Sequence, residues 1–210
     1  MNLALFGATG FIGSAVLEEA LARGCRVTAL VREPGRLQER GNPVLVEGDV
    51  LDRAAVARTV AGAGAVVSAL GPRRGEKPDP EFLAYALSLI LSVMAVSKVR
   101  RLIAISGAGL THAGERKPLQ HRIASRVVSV LARDAYEGKR RELAVLAASD
   151  IDWTAVRPTR VVDGPAFSDV RVSTDSRNIG LRVTRGSLAR VIVDLALSDT
   201  YLQAAPYISN

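Results

Sequence analysis

Gly7-Ala-Thr-Gly10-Phe-Ile-Gly13 sets three glycines three residues apart, after an apolar run and before a helix-like one. Glycine loses more conformational freedom on folding than any other residue, so three at one corner mark a backbone that something must approach closely. At a strand-to-helix corner the first two glycines permit a tight turn against a diphosphate, and the third lets helix and strand pack. The unpaired N–H groups of the first helical turn, together with the helix dipole, favour an anion at the same point. A dinucleotide is the expected ligand.

Which dinucleotide is decided at the end of the second strand-like run, where an acidic residue would hold the ribose 2′-hydroxyl of NAD. Arg32 stands there instead, and Arg36 follows across the turn-forming Pro34-Gly35. Two guanidinium groups so spaced are suited to a 2′-phosphate, through charge-assisted and bidentate bonds. NADP(H) is the expected cofactor and NAD the lesser alternative, for which Glu33 leaves room; the bland reading is two ordinary loop arginines. Asp49-Val50 follows the third run, where a carboxylate is able to accept from the adenine amine. Its competing duty is a helix N-cap, for which Asp52 is a rival. Leu70-Gly71-Pro72 closes the fourth run and is expected to pass the ribose and nicotinamide, with Arg73 within reach of the phosphates.

These positions need a frame, and periodicity supplies one. Strand-like runs are LALFG, RVTALVR, PVLVEGD, AVVSALG, RLIAISG and DWTAVRP. Helix-like segments lie between them at Phe11 to Arg23, Arg53 to Ala61, Asp79 to Lys98 and Ile123 to Ala148. Apolar strands alternating with helices predict an α/β fold, a doubly wound parallel sheet whose ligands bind beyond the carboxyl ends of the strands. After residue 158 the pattern changes to loop, one or two short strands, and a helix with Leu188, Val191, Ile192 and Leu195 on one face. One domain is expected, with a dinucleotide-binding core over about 1–158 and a small substrate-side extension over about 159–210.

Composition narrows the alternatives. The chain has 28 basic and 21 acidic residues, a net charge of +7, but the basic residues are spread out and the aromatics few. It lacks the interleaving that a nucleic-acid stacking surface needs. A single cysteine, Cys25, precludes an internal disulfide, and no Cys/His cluster has metal-ligand spacing. A metal-free, cytoplasmic protein is expected, since the N-terminus lacks a basic leader and the uncharged stretch Phe82 to Ser97 is too short to span a membrane. That stretch reads as a buried helix. Trp153 reads as packing, and His112 and His121 read as surface histidines flanking a segment over the site. AISGAG lacks the glycine of a nucleophile elbow.

FGATGFIGSAV, ALVREPGRL, GDVLD, VVSALGPR, AISGAGL, DWTAVRPTRVVDGP and VTRGSLARVIVDLALSDTY together resemble the atypical short-chain dehydrogenase/reductases. Within that Rossmann-fold family the biliverdin reductase B and NAD(P)H-flavin reductase group is the nearest in pattern. The resemblance covers nearly the whole chain; the glycine fingerprint is common to the superfamily, whereas VRxxxR and GDV are more particular. It implies dinucleotide contacts at Gly7, Thr9, Gly10, Phe11, Ile12, Gly13, Arg32, Arg36, Asp49, Val50, Gly71, Ser106 and Pro158.

The catalytic pattern departs from the family. Orthodox members carry Tyr-x-x-x-Lys after the fifth strand and a serine at its end. Ser106 matches the serine and Lys139 the lysine, but Ala135 holds the tyrosine position and Tyr136 follows one place late. A one-residue shift turns a helical side chain by about 100°, but Tyr136 and Lys139 remain neighbours at i, i+3, so Tyr136 stands beside Ser106 and Lys139 as a catalytic candidate, a proton donor, its plain alternative being a half-buried amphipathic residue. Loss of the tyrosine acid suits hydride transfer to a flavin, quinone or similar small conjugated acceptor, with Ser106 bonding nicotinamide or acceptor and solvent or a weak acid supplying the proton. A non-catalytic NADP sensor is the rival reading; an epimerase or dehydratase is the third. The sequence leaves the acceptor and the oligomeric state open.

Overall fold

The computed structural model describes residues 1–37, 42–71, 79–110 and 133–210, apart from the side chains of Arg36 and Asn178. The six apolar runs form β1 (Asn2–Phe6), β2 (Arg26–Val31), β3 (Val44–Glu47), β4 (Ala65–Ser68), β5 (Arg101–Ile105) and β6 (Asp152–Pro158). They lie parallel in the order β3-β2-β1-β4-β5-β6. The chain winds outward from β1 to β3, then returns to β4 on the other side of β1. That reversal opens a crevice at the carboxyl ends of β1 and β4, where ligands of such sheets bind.

Both faces of the sheet are covered because both faces of each central strand are apolar. Along β1, Leu3 and Leu5 join one core with Leu17 of α1 (Phe11–Ala22) and Leu188 and Ile192 of α5 (Arg185–Ala196). Ala4 and Phe6 point the other way, into a core with Val56 of α2 (Arg53–Val60), Leu87 and Ile90 of α3 (Phe82–Val96) and Leu143 and Leu146 of α4 (Arg133–Ala147). Trp153 is buried in this second core, as packing.

Local chemistry sets the helix ends. Asp52 caps α2 by accepting from Ala54 N at 2.9 Å, and Thr184 caps α5 by accepting from Ser187 N at 3.3 Å. α3 begins at Phe82 instead of Asp79, because the Asp79 carboxylate accepts from Glu81 N at 2.9 Å and so lies ahead of the helix. α3 is also one-sided instead of wholly buried: Tyr85 and Val96 are 65% and 77% exposed. Of the segment expected as helix from Ile123, residues 123–132 lie outside the described residues. No helix among the described residues is long and apolar enough to cross a membrane.

The tail is richer in strands than its sequence suggests. β7 (Arg160–Val162), β8 (Arg171–Ser173) and β9 (Arg182–Thr184) precede α5, and β10 (Tyr207–Ser209) follows it. β10 extends the main sheet parallel to β6, β8 joins it antiparallel, and β7 and β9 form a separate parallel ribbon. Three-residue strands are too short to show alternation, so periodicity does not find them. Arg101, buried at the start of β5, binds the tail to the core. Its guanidinium donates to Leu195 O at 2.9 Å, Asp152 O at 2.8 Å and Thr200 O at 3.1 Å, and burial lowers its pKa from the ordinary arginine value.

Candidate dinucleotide site

At the carboxyl ends of the strands lies a cavity of about 460 Å³. Its apex is the glycine corner. Gly7 has φ +83°, and a Cβ there would lie 2.6 Å from Ala69 O. Gly13 does not line the cavity: a Cβ on it would come within 2.0 Å of Gly7 O, so its role is to let α1 press against the turn. Gly10 is the N-cap residue of α1 and offers no side-chain acceptor, so the helix enters with its first N–H groups uncapped. Thr9, Gly10, Phe11 and Ile12 line the cavity around that helix end.

One wall carries Arg32, Asp49 and Val50. The two aspartates divide their duties: Asp52 caps α2, whereas Asp49 lines the cavity and accepts from Leu51 N at 2.9 Å. Arg36 closes a short 3-10 turn, Pro34–Arg36, with its side chain outside the description. The opposite wall carries Leu70 and Gly71, and open space lies where a Gly71 Cβ would point. Pro72, Arg73, His112 and His121 fall outside the described residues.

Ser106 and Lys139 meet on the floor. The Ser106 Oγ is buried without a hydrogen-bond partner among the described residues. Lys139 is the reverse case: Nζ donates to Leu70 O at 2.8 Å, Ile105 O at 2.6 Å and Glu142 Oε2 at 2.7 Å. An ammonium has three N–H donors, and all three are in use. Lys139 thereby clamps the ends of β4 and β5 to α4. Burial pushes the Glu142 carboxyl above the ordinary carboxylate range, and Lys139 pulls it back.

Two expected residues are not brought to this floor. Tyr136 does not line the cavity; it is half-buried against the second core, as its position one place past Ala135 requires. Pro158 also stays behind the lining, where its carbonyl accepts from Ala108 N at 3.1 Å and shapes the loop after Ser106. Glu142 is a functional neighbour that sequence reasoning missed. Its signal was a carboxylate in the buried i, i+4 row Gly138, Glu142 and Leu146 of α4.

An uncapped helix N-terminus, a clear approach to Gly71 and an orphaned hydroxyl on the floor suit a diphosphate, a ribose and a hydrogen-bonding ring respectively. The residues present therefore fit a nicotinamide dinucleotide. A family model described as NAD(P)H-binding matches residues 7–199. The chain belongs to this NAD(P)H-binding family.

Family membership agrees with the resemblance drawn from the glycine corner onward. The chain is 32% identical over 117 residues to the protein YwnB of Bacillus subtilis strain 168, across 56% of this chain and 52% of that one. It is 29% identical over 127 residues to a dihydroflavonol 4-reductase of Gerbera hybrida, across 53% of this chain and 35% of that enzyme. The matches thus span about half and about a third of those relatives' own lengths. Among solved structures, ChuY, an anaerobillin reductase from Escherichia coli O157:H7, superposes with a TM-score of 0.80 at 21% identity, over 100% of this chain and 97% of that one. That likeness is one of fold.

Proposed function

We propose that the protein is an NADPH-dependent reductase that passes hydride to a flavin, quinone or similar conjugated small molecule. The observation that carries this reading is the cavity floor, where among the described residues the Ser106 hydroxyl is unpartnered and Lys139 is fully engaged. Such a floor orients a ring, but with every Lys139 N–H already engaged it offers no free donor for alcohol chemistry. A conjugated acceptor takes up hydride without needing a tyrosine acid at the carbon attacked, and solvent completes the protonation.

In this reading the α1 N-terminus holds the diphosphate, Asp49 and Val50 bound the adenine, and Leu70 and Gly71 pass the ribose. Arg32, together with Arg36, selects the 2′-phosphate. Bound NADPH supplies the hydride. Ser106 donates its hydroxyl hydrogen to the carboxamide or the acceptor, and Lys139 keeps the ends of β4 and β5 in register beneath them.

Calorimetric titration with NADPH and NADH, followed by NADPH oxidation against a panel of flavins and quinones, tests this. The expected result is tighter binding of NADPH and turnover of at least one panel member. Absence of binding by either coenzyme would sink the reading. The saturated Lys139 and the displaced Tyr136 also favour a second reading, a non-catalytic NADP sensor; tight binding with no turnover of any acceptor would select it.

A further inference from the structure

β7 and β9 pair in parallel with Arg160 directly beside Arg182. Both residues are exposed, and neither guanidinium has an acceptor among the described residues. Like charges set side by side on neighbouring strands oppose the pairing that holds them. Residues 159–190 contain six arginines against three aspartates, and two of those aspartates are already engaged, Asp163 with Arg185 and Asp175 with Arg177. The segment therefore carries a net positive charge, with Arg160 and Arg182 unpaired among the described residues.

Its position relates that charge to the cavity. β7 starts two residues after Pro158, at the end of the strand against which the Ser106 corner is bonded, Ser106 N donating to Val156 O at 2.8 Å. β9 leads within three residues to Arg185, whose guanidinium lies 5.1 Å from the ring centroid of cavity-lining Phe11 and 3.2 Å from Asp163 Oδ1. The ribbon is thus tied by chain to the end of β6 and, through Arg185, to Phe11 on the cavity lining. Leu181, 89% exposed, accepts from Arg160 N through its carbonyl and sets an apolar side chain beside the pair.

The charge is misplaced for the cofactor's 2′-phosphate. Arg32 ends the neighbourhood of β2, whereas the ribbon follows β6, four strand positions away and on the order of 19 Å across the sheet. We propose that Arg160 and Arg182 form an oxyanion subsite for the acceptor, receiving a phosphate monoester or carboxylate borne by the reducible ring system, with Arg185 on Phe11 joining subsite to cavity. Two planar guanidinium forks match the oxygens of either group. This inference rests on the reductase reading and names the kind of acceptor that reading requires.

The test is equilibrium binding to NADP-loaded protein, read by ligand fluorescence or calorimetry, with two matched pairs of probes. FMN against riboflavin isolates a phosphate; anthraquinone-2-carboxylate against its carboxamide isolates a carboxylate. At least one anionic member should bind about tenfold more tightly than its neutral partner, the ratio given by about 1.4 kcal/mol. Rising salt should erode that preference. Arg160→Gln/Arg182→Gln should reduce it to about twofold or less while leaving the neutral probes and NADPH binding unchanged, as expected for exposed residues outside the cofactor cavity. No preference in either pair, including no binding of any probe, or a preference that survives the double substitution, overturns the subsite. Riboflavin turnover alongside such a result would leave the reductase reading standing, and loss of NADPH binding in the wild type would fell that reading by itself.

Discussion

Lys139 and Glu142, three residues apart on α4, meet at 2.7 Å beneath the cavity, with the carboxylate side chain only 4% exposed. The pair is costly to break. Glu142→Leu leaves an ammonium facing two carbonyls with no counter-charge and is expected to lower stability by about 3 kcal/mol. Glu142→Gln retains an acceptor and is expected to cost about 1 kcal/mol. The pH dependence has a definite sign. Because burial raises the Glu142 carboxyl above its ordinary 4.5, the folded state holds its proton more tightly than the unfolded chain does. Its contribution is therefore full below the ordinary value and declines as pH rises through the raised one. Denaturant midpoints should show a larger gap between wild type and Glu142→Gln at about pH 4 than at about pH 8; a gap that widens with pH contradicts this.

The glycines of the site divide into those whose missing side chain the described protein atoms require and one, Gly71, where they do not. Gly13→Ala would place a Cβ 2.0 Å from Gly7 O, so backbone must move. A stability loss of about 2–3 kcal/mol is expected in thermal or denaturant unfolding. Gly71→Ala meets no atom of the described residues within 4 Å. It should unfold within about 0.5 kcal/mol of the wild type while weakening NADPH binding several-fold. Unchanged NADPH affinity in Gly71→Ala would show that the cofactor does not run past this wall.

Arg32 provides the test of coenzyme choice. Arg32→Gln is expected to raise the NADPH dissociation constant about tenfold or more and to leave that for NADH nearly unchanged, since a charged hydrogen bond is worth about 1.5–3 kcal/mol. Equal losses for the two coenzymes would place Arg32 on a part that they share.

Among the described residues two buried hydroxyls lack partners, and they should behave differently. Ser68, fully buried in β4, finds no partner among the described residues, so Ser68→Ala is expected to raise stability by about 1 kcal/mol. Ser106→Ala should likewise keep its stability, but with turnover of the best acceptor reduced about five- to tenfold, the effect of one lost hydrogen bond. Full activity in Ser106→Ala would remove the hydroxyl from the reaction.

The parts of this molecule legible in the sequence are those governed by near neighbours. The corner from Gly7 to Gly13 and the six apolar strands declare themselves because turn geometry and two-faced burial impose composition locally. The exposed face of α3 was hidden by small and apolar residues such as Tyr85 and Val96, which hydropathy counts as core. Glu142 was missed because its charge suggests a surface and only the i, i+4 row says otherwise. The meeting of Arg185 with Phe11, and the seating of β10 against β6, join distant parts of the chain through three-residue elements or single side chains. No local pattern encodes such contacts. Tyr136 lay between these cases: its spacing to Lys139 was readable, but its burial among α3 neighbours depends on packing.

The buried guanidinium of Arg101 restricts how this scaffold can be re-engineered. Exchanging the last fifty or so residues for those of another member is the direct way to graft a new acceptor pocket. A transplant that failed to return carbonyls to the places of Leu195 and Thr200 would strand a cation at the root of the central sheet. Chimeras should therefore swap the span between β6 and α5 and keep the native carboxyl-terminal helix, so that recognition can vary while the keel of the sheet stays intact.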